Sequence, residues 1–145
     1  MTFKQLSLDQ ILEKLPHKRV VRFALDCAYD VKDHTKDPRS IKALKITELW
    51  LIDKATAEEV KIAAYDAVSA SANASASAAA YFAAHTAFAI SASNAAYFAA
   101  CTASASNAAY AADYAAIHAA RITNKDYRQV LLDSLSDLET LLWHS

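Results

Sequence analysis

Among its 145 residues the chain has no glycine. Glycine is the ordinary residue wherever backbone must turn left-handed, and proline, the other strong punctuator, occurs only twice. Turns must therefore be made by Ser, Asn, Asp and Thr. Alanine is in excess, and it is the best helix former because it loses no side-chain entropy. The whole chain reads as helical: an all-α, compact multi-helix bundle with close-packed Ala-rich helices at its centre.

One domain over residues 1–145 accounts for the length, with enough chain to bury a sizeable core. The pattern divides it into three sections. Residues 1–55 hold capped N-terminal helices. Ser7 and Gln10 form an S-x-x-Q capping box, with Leu6 placed to staple onto Ile11, and open a helix from Leu8 to Leu15 that Pro16 closes. A second helix runs from about Lys18 to Lys32, with Val20, Phe23, Ala24, Cys27, Ala28 and Val31 on one face. Asp37 and Pro38 start a third, which ends near Asp53.

The second section, residues 56–121, opens with the T-x-x-E box of Thr56 and Glu59 and continues as Ala/Ser-rich helical repeats. SASAAAY starts at position 75, and SASNAAY at 91 and again at 104. One helix over 57–121 would be on the order of 100 Å long, too long for a compact chain of this size, so the segment must fold back on itself. The Ser/Asn clusters near 70–75, 90–94 and 103–107 are the candidate breaks. Ala and Ser faces let neighbouring backbones approach closely. Tyr65, Tyr81, Phe82, Phe88, Tyr97, Phe98, Tyr110 and Tyr114 are expected as the large core side chains among them. The third section, 123–144, is an amphipathic helix starting near Thr123 or Asn124, striped by Tyr127, Leu131, Leu135, Leu138, Leu141 and Leu142.

Between Ala67 and Ala112 there is no Asp, Glu, Lys or Arg. This is not read as a membrane span, because Ser, Thr, Asn and His interrupt it every few positions and Ala drives insertion weakly. The net charge of −1 gives no global argument for nucleic acid. The N-terminal residues lack a signal-peptide pattern, and Cys27 and Cys101 have no CxxC spacing. Reduced thiols and a cytoplasmic location are therefore expected. An uncharged face left over after folding would predict a homo-oligomer.

Motifs for chemistry are sparse. His85, Cys101 and His118 are not spaced as a metal site or a Cys–His pair, so no metal, cofactor or catalytic residue is assigned. Asp66 and Asp113 are read as capping, or pairing with Lys61 and Arg121. Asp26 lies at i, i+4 from Arg22, and the favoured reading is that it anchors Arg39 or another helix end. The basic run HKRVVR (17–22) reads as a solvated helix start. Trp50 and Trp143 are core residues or interface anchors, Trp being enriched at hot spots.

RFALDCAYDV (22–31) and DPRSIKALKITELWLIDKATAEEVKIAAYDA (37–67), followed by Ala-rich repeats with interspersed Tyr, resemble the bacterial immunity proteins of polymorphic toxin systems, which also occur in phages. Arg22, Asp26, Cys27, Ala28, Asp37, Pro38, Arg39, Ala43, Leu44, Trp50, Thr56 and Glu59 carry the resemblance, over about residues 20–120. It implies an all-α fold and a non-catalytic protein that binds and neutralises a toxin or effector by steric occlusion. Arg22, Asp26, Arg39, Trp50 and Trp143 are the candidate binding residues. A phage-encoded inhibitor of a bacterial defence system is the first alternative. A small-molecule binding or sequestering protein, its groove lined by Tyr, Ser, Asn and His between the Ala helices, is the second.

Overall fold

The computed structural model describes residues 5–35, 37–76, 94–103 and 108–144, with backbone alone for 70–76 and 136–144. Among them the helices are α1 (Leu8–Glu13), α2 (His17–Val31), α3 (Pro38–Leu51), α4 (Ala57–Ala76), α5 (94–103), α6 (Ala108–Thr123) and α7 (Tyr127–His144), with a short 3-10 turn at Lys32–His34 after α2. The architecture is an all-α bundle.

Side chains next to the backbone set the helix starts. The Ser7 N–H donates to Gln10 Oε1 at 2.9 Å, and its hydroxyl to Asp9 Oδ1 at 2.7 Å. At α3 the Asp37 carboxylate accepts from the Arg39 N–H at 2.9 Å, with Pro38 at the first helical position where no N–H is needed. At α4 the box is reciprocal: the Thr56 N–H donates to Glu59 Oε1 and the Glu59 N–H to Thr56 Oγ1, each at 3.1 Å.

The chain ends its helices without glycine by placing Asp and Asn in left-handed backbone. Asp53 has φ of 60° and Asn124 φ of 57°. At Asp53 the Lys54 N–H reaches Leu49 O at 2.8 Å and the Asp53 N–H reaches Trp50 O at 3.1 Å, the paired bonds of a Schellman turn. At Asn124 a single bond to Ala120 O at 2.8 Å closes α6. That stop puts the start of α7 at Tyr127, three to four residues beyond the expected Thr123 or Asn124, with Asp126 Oδ1 accepting from the Gln129 N–H at 3.2 Å.

α2 lies between two groups of Ala-rich helices. One face, through Val20, Phe23, Ala24, Cys27, Ala28 and Val31, packs on Ala95, Ala99, Ala112, Ala115, Ala116 and Ala119 of α5 and α6, with Leu131 and Leu135 of α7. Val21 turns the other way, joining Ala43, Val60, Ala63, Ala64, Ala67, Ala100 and Ala103. Extensive contacts join α2 to α6 and α3 to α4. A buried methyl contributes on the order of 0.8 kcal/mol, against about 1.5–3 kcal/mol for a buried Leu or Phe. The Leu, Val, Ile and Phe side chains of α1, α2, α3 and α7 therefore carry much of the burial energy, while Ala permits the close approach.

Three expectations are corrected. The Ser/Asn cluster at 70–75 does not break the chain, because α4 runs on through Ala76. Lys14 and Leu15 are not helical: α1 stops at Glu13, with the Lys14 N–H bonded back to Ile11 O at 3.0 Å. Tyr65 and Tyr110 are not core side chains, at 62% and 54% exposed. Their helices turn Ala63, Ala64, Ala67, Ala109 and Ala112 inward, and at the surface Tyr110 Oη donates to Tyr114 Oη at 2.9 Å. Tyr97, Phe98 and Tyr114 do pack, half-buried: Phe98 stacks on Tyr114 and His118 of α6, while Tyr97 packs toward α3 and α4. Tyr81, Phe82, Phe88 and the 90–93 and 104–107 parts of the remaining clusters lie outside the described residues. Among the described residues no helix is long and apolar enough to cross a membrane.

Candidate functional site

The outer face of α2 carries most of the unusual chemistry. Its core face recurs with helical period, so Lys18, Arg19, Arg22, Asp26 and Asp30 are left along the outside. Arg22 Nε and Asp26 Oδ1 lie 3.4 Å apart, an exposed i, i+4 pair worth a few tenths of a kcal/mol. Partial burial raises the Asp26 pKa above the usual carboxylate range, against the pull of Arg22 and Arg19.

A hollow lies on each side of this ridge. Toward α3 an open groove of about 600 Å³ is lined by Arg22, Lys45, Glu48, Leu49, Leu51 and Ile52. Leu49 is 41% and Ile52 61% exposed. Tyr29 lies at this junction, and burial together with the neighbouring Glu48 carboxylate raises the phenol's pKa. Toward α7 a second hollow, about 240 Å³, is floored by Phe23, Cys27 and Leu131. Two polar bridges cross it. Arg19 donates to Ser134 Oγ at 2.6 Å, and Asp30 Oδ2 accepts from Tyr127 Oη at 3.0 Å and Lys125 Nζ at 3.2 Å. Neither hollow lies between the Ala-rich helices, where a groove for a small molecule is expected from the sequence.

The other candidate residues sit elsewhere. Arg39 does not meet Asp26. Its guanidinium forks onto Asp37, Nε to Oδ1 at 2.9 Å and Nη2 to Oδ2 at 2.6 Å. Asp37, two residues away at the helix cap, reaches it without any tertiary cost, and this contact holds the Asp37 carboxyl below its ordinary pKa. Trp50 is half-buried and fastens three helices: His17 packs edge-on against it at 5.1 Å, and Lys18 Nζ lies 6.0 Å from its ring centre. His17 in turn bonds Thr102 O of α5 at 2.6 Å, and Lys18 pairs with Asp53 at 3.1 Å. The Trp143 side chain lies outside the described residues.

The His–Cys candidates do not converge. Cys101 lies beside the Tyr97 hydroxyl, whose pKa is pushed up to about 12 by that neighbour and by burial. His118 is stacked on Phe98, 3.4 Å from Arg121 Nη1, and burial with that cation lowers its pKa. His85 is outside the described residues. Cys27 and Cys101 are free thiols, and burial pushes the Cys27 pKa well above the ordinary range, opposite to what a nucleophile needs. No group of three or more metal-ligating side chains occurs among the described residues. Asp113 does not pair with Arg121; partial burial and the nearby Asp9 raise its pKa.

Sequence reasoning missed the α2–α7 bridges. Their partners are separated by 95 to 115 positions, and no local spacing encodes them. Asp30 is one more charge on the polar face of α2, so nothing in the local pattern singles it out. Comparison of the chain with protein-family models, with curated proteins and with solved structures finds no match.

Proposed function

We infer that the chain is a non-catalytic binding protein, an immunity-type inhibitor that neutralises a toxin by occluding it, with the groove between α2 and α3 as its contact surface. The exposure of Leu49 and Ile52 over that groove carries the reading. Large apolar side chains ringed by Arg22, Lys45 and Glu48 have the anatomy of an interface, an apolar centre with a charged rim. The two segments that resemble immunity proteins are those that build its walls. Free thiols with raised pKa values and a buried, stacked His118 supply no activated nucleophile, which fits an inhibitor that works by shape.

The test is co-expression with the product of a toxin gene encoded beside this one, read as rescue of growth and as co-purification. Ile52→Glu and Leu49→Glu, both at exposed positions, are expected to fold normally and to weaken binding by roughly tenfold or more. Full rescue by both variants would reject this surface. Absence of any rescue by the unaltered chain would reject the immunity reading.

A further inference from the structure

The hollow between α2 and α7 is built differently from the α2–α3 groove and has no part in the proposed contact with a toxin. The two helices run antiparallel here, because Arg19 reaches Ser134 at one end while Asp30 meets Tyr127 and Lys125 at the other. Beneath the bridges the two helices share the core through Phe23, Cys27, Leu131 and Leu135. The space left between the bridges is about 240 Å³, with an apolar floor. That is below the roughly 300–1,000 Å³ of sites for drug-sized ligands, so it suits a molecule of amino-acid size.

Its charges are ordered along the helix. Arg19 stands at one end of the hollow, and Asp26 and Asp30 toward the other. Seven residues separate Arg19 from Asp26, a rise of roughly 10 Å. Asp26 is the carboxylate that neither bridge uses; its ion pair, with Arg22, runs along its own helix. The order is also the reverse of what helix stability favours. α2 has no acid in its first turn and no base in its last; His17, Lys18 and Arg19 sit at its positive end, and Asp26 and Asp30 toward its negative end. A charge pattern that opposes its own helix dipole is answerable to something besides that helix.

The geometry points to a binding site for a small dipolar molecule with a cationic amine at one end, a carboxylate at the other and an apolar chain between them: an ω-amino carboxylate or a basic amino acid. The carboxylate meets the Arg19 guanidinium; the Ser134 hydroxyl, which accepts from Arg19 and donates to Leu131 O at 2.7 Å, holds that guanidinium in place. The ammonium meets Asp26, with Asp30 beyond it, and the chain lies on Phe23 and Leu131. A lone anion would face the unbridged Asp26, and a lone cation would face Arg19, while Lys125 and Asp30 neutralise each other at the far end. A molecule carrying both charges at this spacing meets complementary groups at both ends.

The test is titration of the full chain, followed by amide NMR shifts, with 6-aminohexanoate, lysine and Nα-acetyl-lysine, and with butylamine and hexanoate as single-charge controls. A saturable response along α2 and the first half of α7, roughly tenfold weaker or more for the controls, is expected. Asp26→Asn and Arg19→Gln should each weaken it by a similar factor. Val130→Trp, at an exposed lining position, should block it without touching a charge. Tighter binding of lysine than of its Nα-acetyl form supports a free amino acid as the source, and the reverse order supports the terminal lysine of a chain. No saturable response in the millimolar range, equal binding of the single-charge controls, or unchanged binding in folded Asp26→Asn overturns the assignment.

Discussion

Tyr127 Oη donates to Asp30 Oδ2 at 3.0 Å, joining the first turn of α7 to the last turn of α2 across 97 positions of sequence. Tyr127 is buried, while Lys125, on the same carboxylate, is half exposed. The phenol contact is therefore the stronger of the two. Tyr127→Phe is expected to cost about 1–2 kcal/mol in urea denaturation, since it leaves a partly buried carboxylate short of a donor. Lys125→Ala should cost under about 1 kcal/mol.

Alkaline pH should destabilise the protein through its buried acids. Burial raises the folded pKa of Cys27, Tyr29 and Tyr127 above the unfolded values, helped by the neighbouring Glu48 at Tyr29 and by the Asp30 bond at Tyr127. A raised folded pKa means that the native state holds its proton where the unfolded chain has released it. The contribution is complete below the unfolded values of about 8.5 for Cys and 10 for Tyr, and is lost as pH rises through the folded ones. Unfolding free energy should fall steadily above about pH 9, and the double variant Tyr29→Phe/Tyr127→Phe should flatten that decline. An unchanged slope in a folded double variant would place the effect elsewhere.

At acid pH the sign is opposite for Asp37, whose folded pKa is lowered by Arg39. Its contribution is present above the unfolded value of about 3.9 and is lost as pH falls toward the folded one. Asp37→Ala is expected to cost about 1 kcal/mol at neutral pH by removing the α3 cap. Asp37→Asn retains a cap acceptor and should lose mainly the pH dependence, as followed by thermal melts across the acid range.

The left-handed positions predict gains from glycine. Asn124→Gly is expected to raise stability by about 0.5–1 kcal/mol, and Asn124→Ala to lower it by about 1 kcal/mol, because a Cβ is unfavourable at this φ. Chemical denaturation of both variants checks the pair, and equal effects would contradict the geometry.

Close helix approach predicts that small residues cannot be enlarged. Ala115 and Ala119 of α6 are fully buried in the core shared with α2. Ala115→Leu should cost about 1–3 kcal/mol through forced separation of the helices, despite adding apolar surface. Ile117→Ala, at a partly exposed position on the same helix, should cost under about 1 kcal/mol. A stabilised Ala115→Leu variant would mean that the interface has spare room.

How much was legible depends on the range of each interaction. The caps at Ser7, Asp37 and Thr56 use partners within three residues, so their spacing announces them. The apolar period of α2 likewise announced its buried face, and missing glycine announced that Asp and Asn would turn the chain. Tyr65 and Tyr110 were misplaced because residue type says that an aromatic prefers burial, while helix phase, set by which neighbouring Ala faces a partner, decides whether it gets it. Asp26 and Arg39 were joined on charge alone, although Asp37 was already within reach of Arg39.

The sequence by itself thus determined the helical class, three of the helix starts and the chemistry of the turns, because these are settled among residues a few positions apart. Only the tertiary structure decided which Ala faces meet, that α2 stands between two groups of helices, and that Arg19, Asp26 and Asp30 line a hollow facing α7. Such relationships depend on how whole helices pack, and packing is a collective minimum over contacts far apart in the chain that no local pattern records.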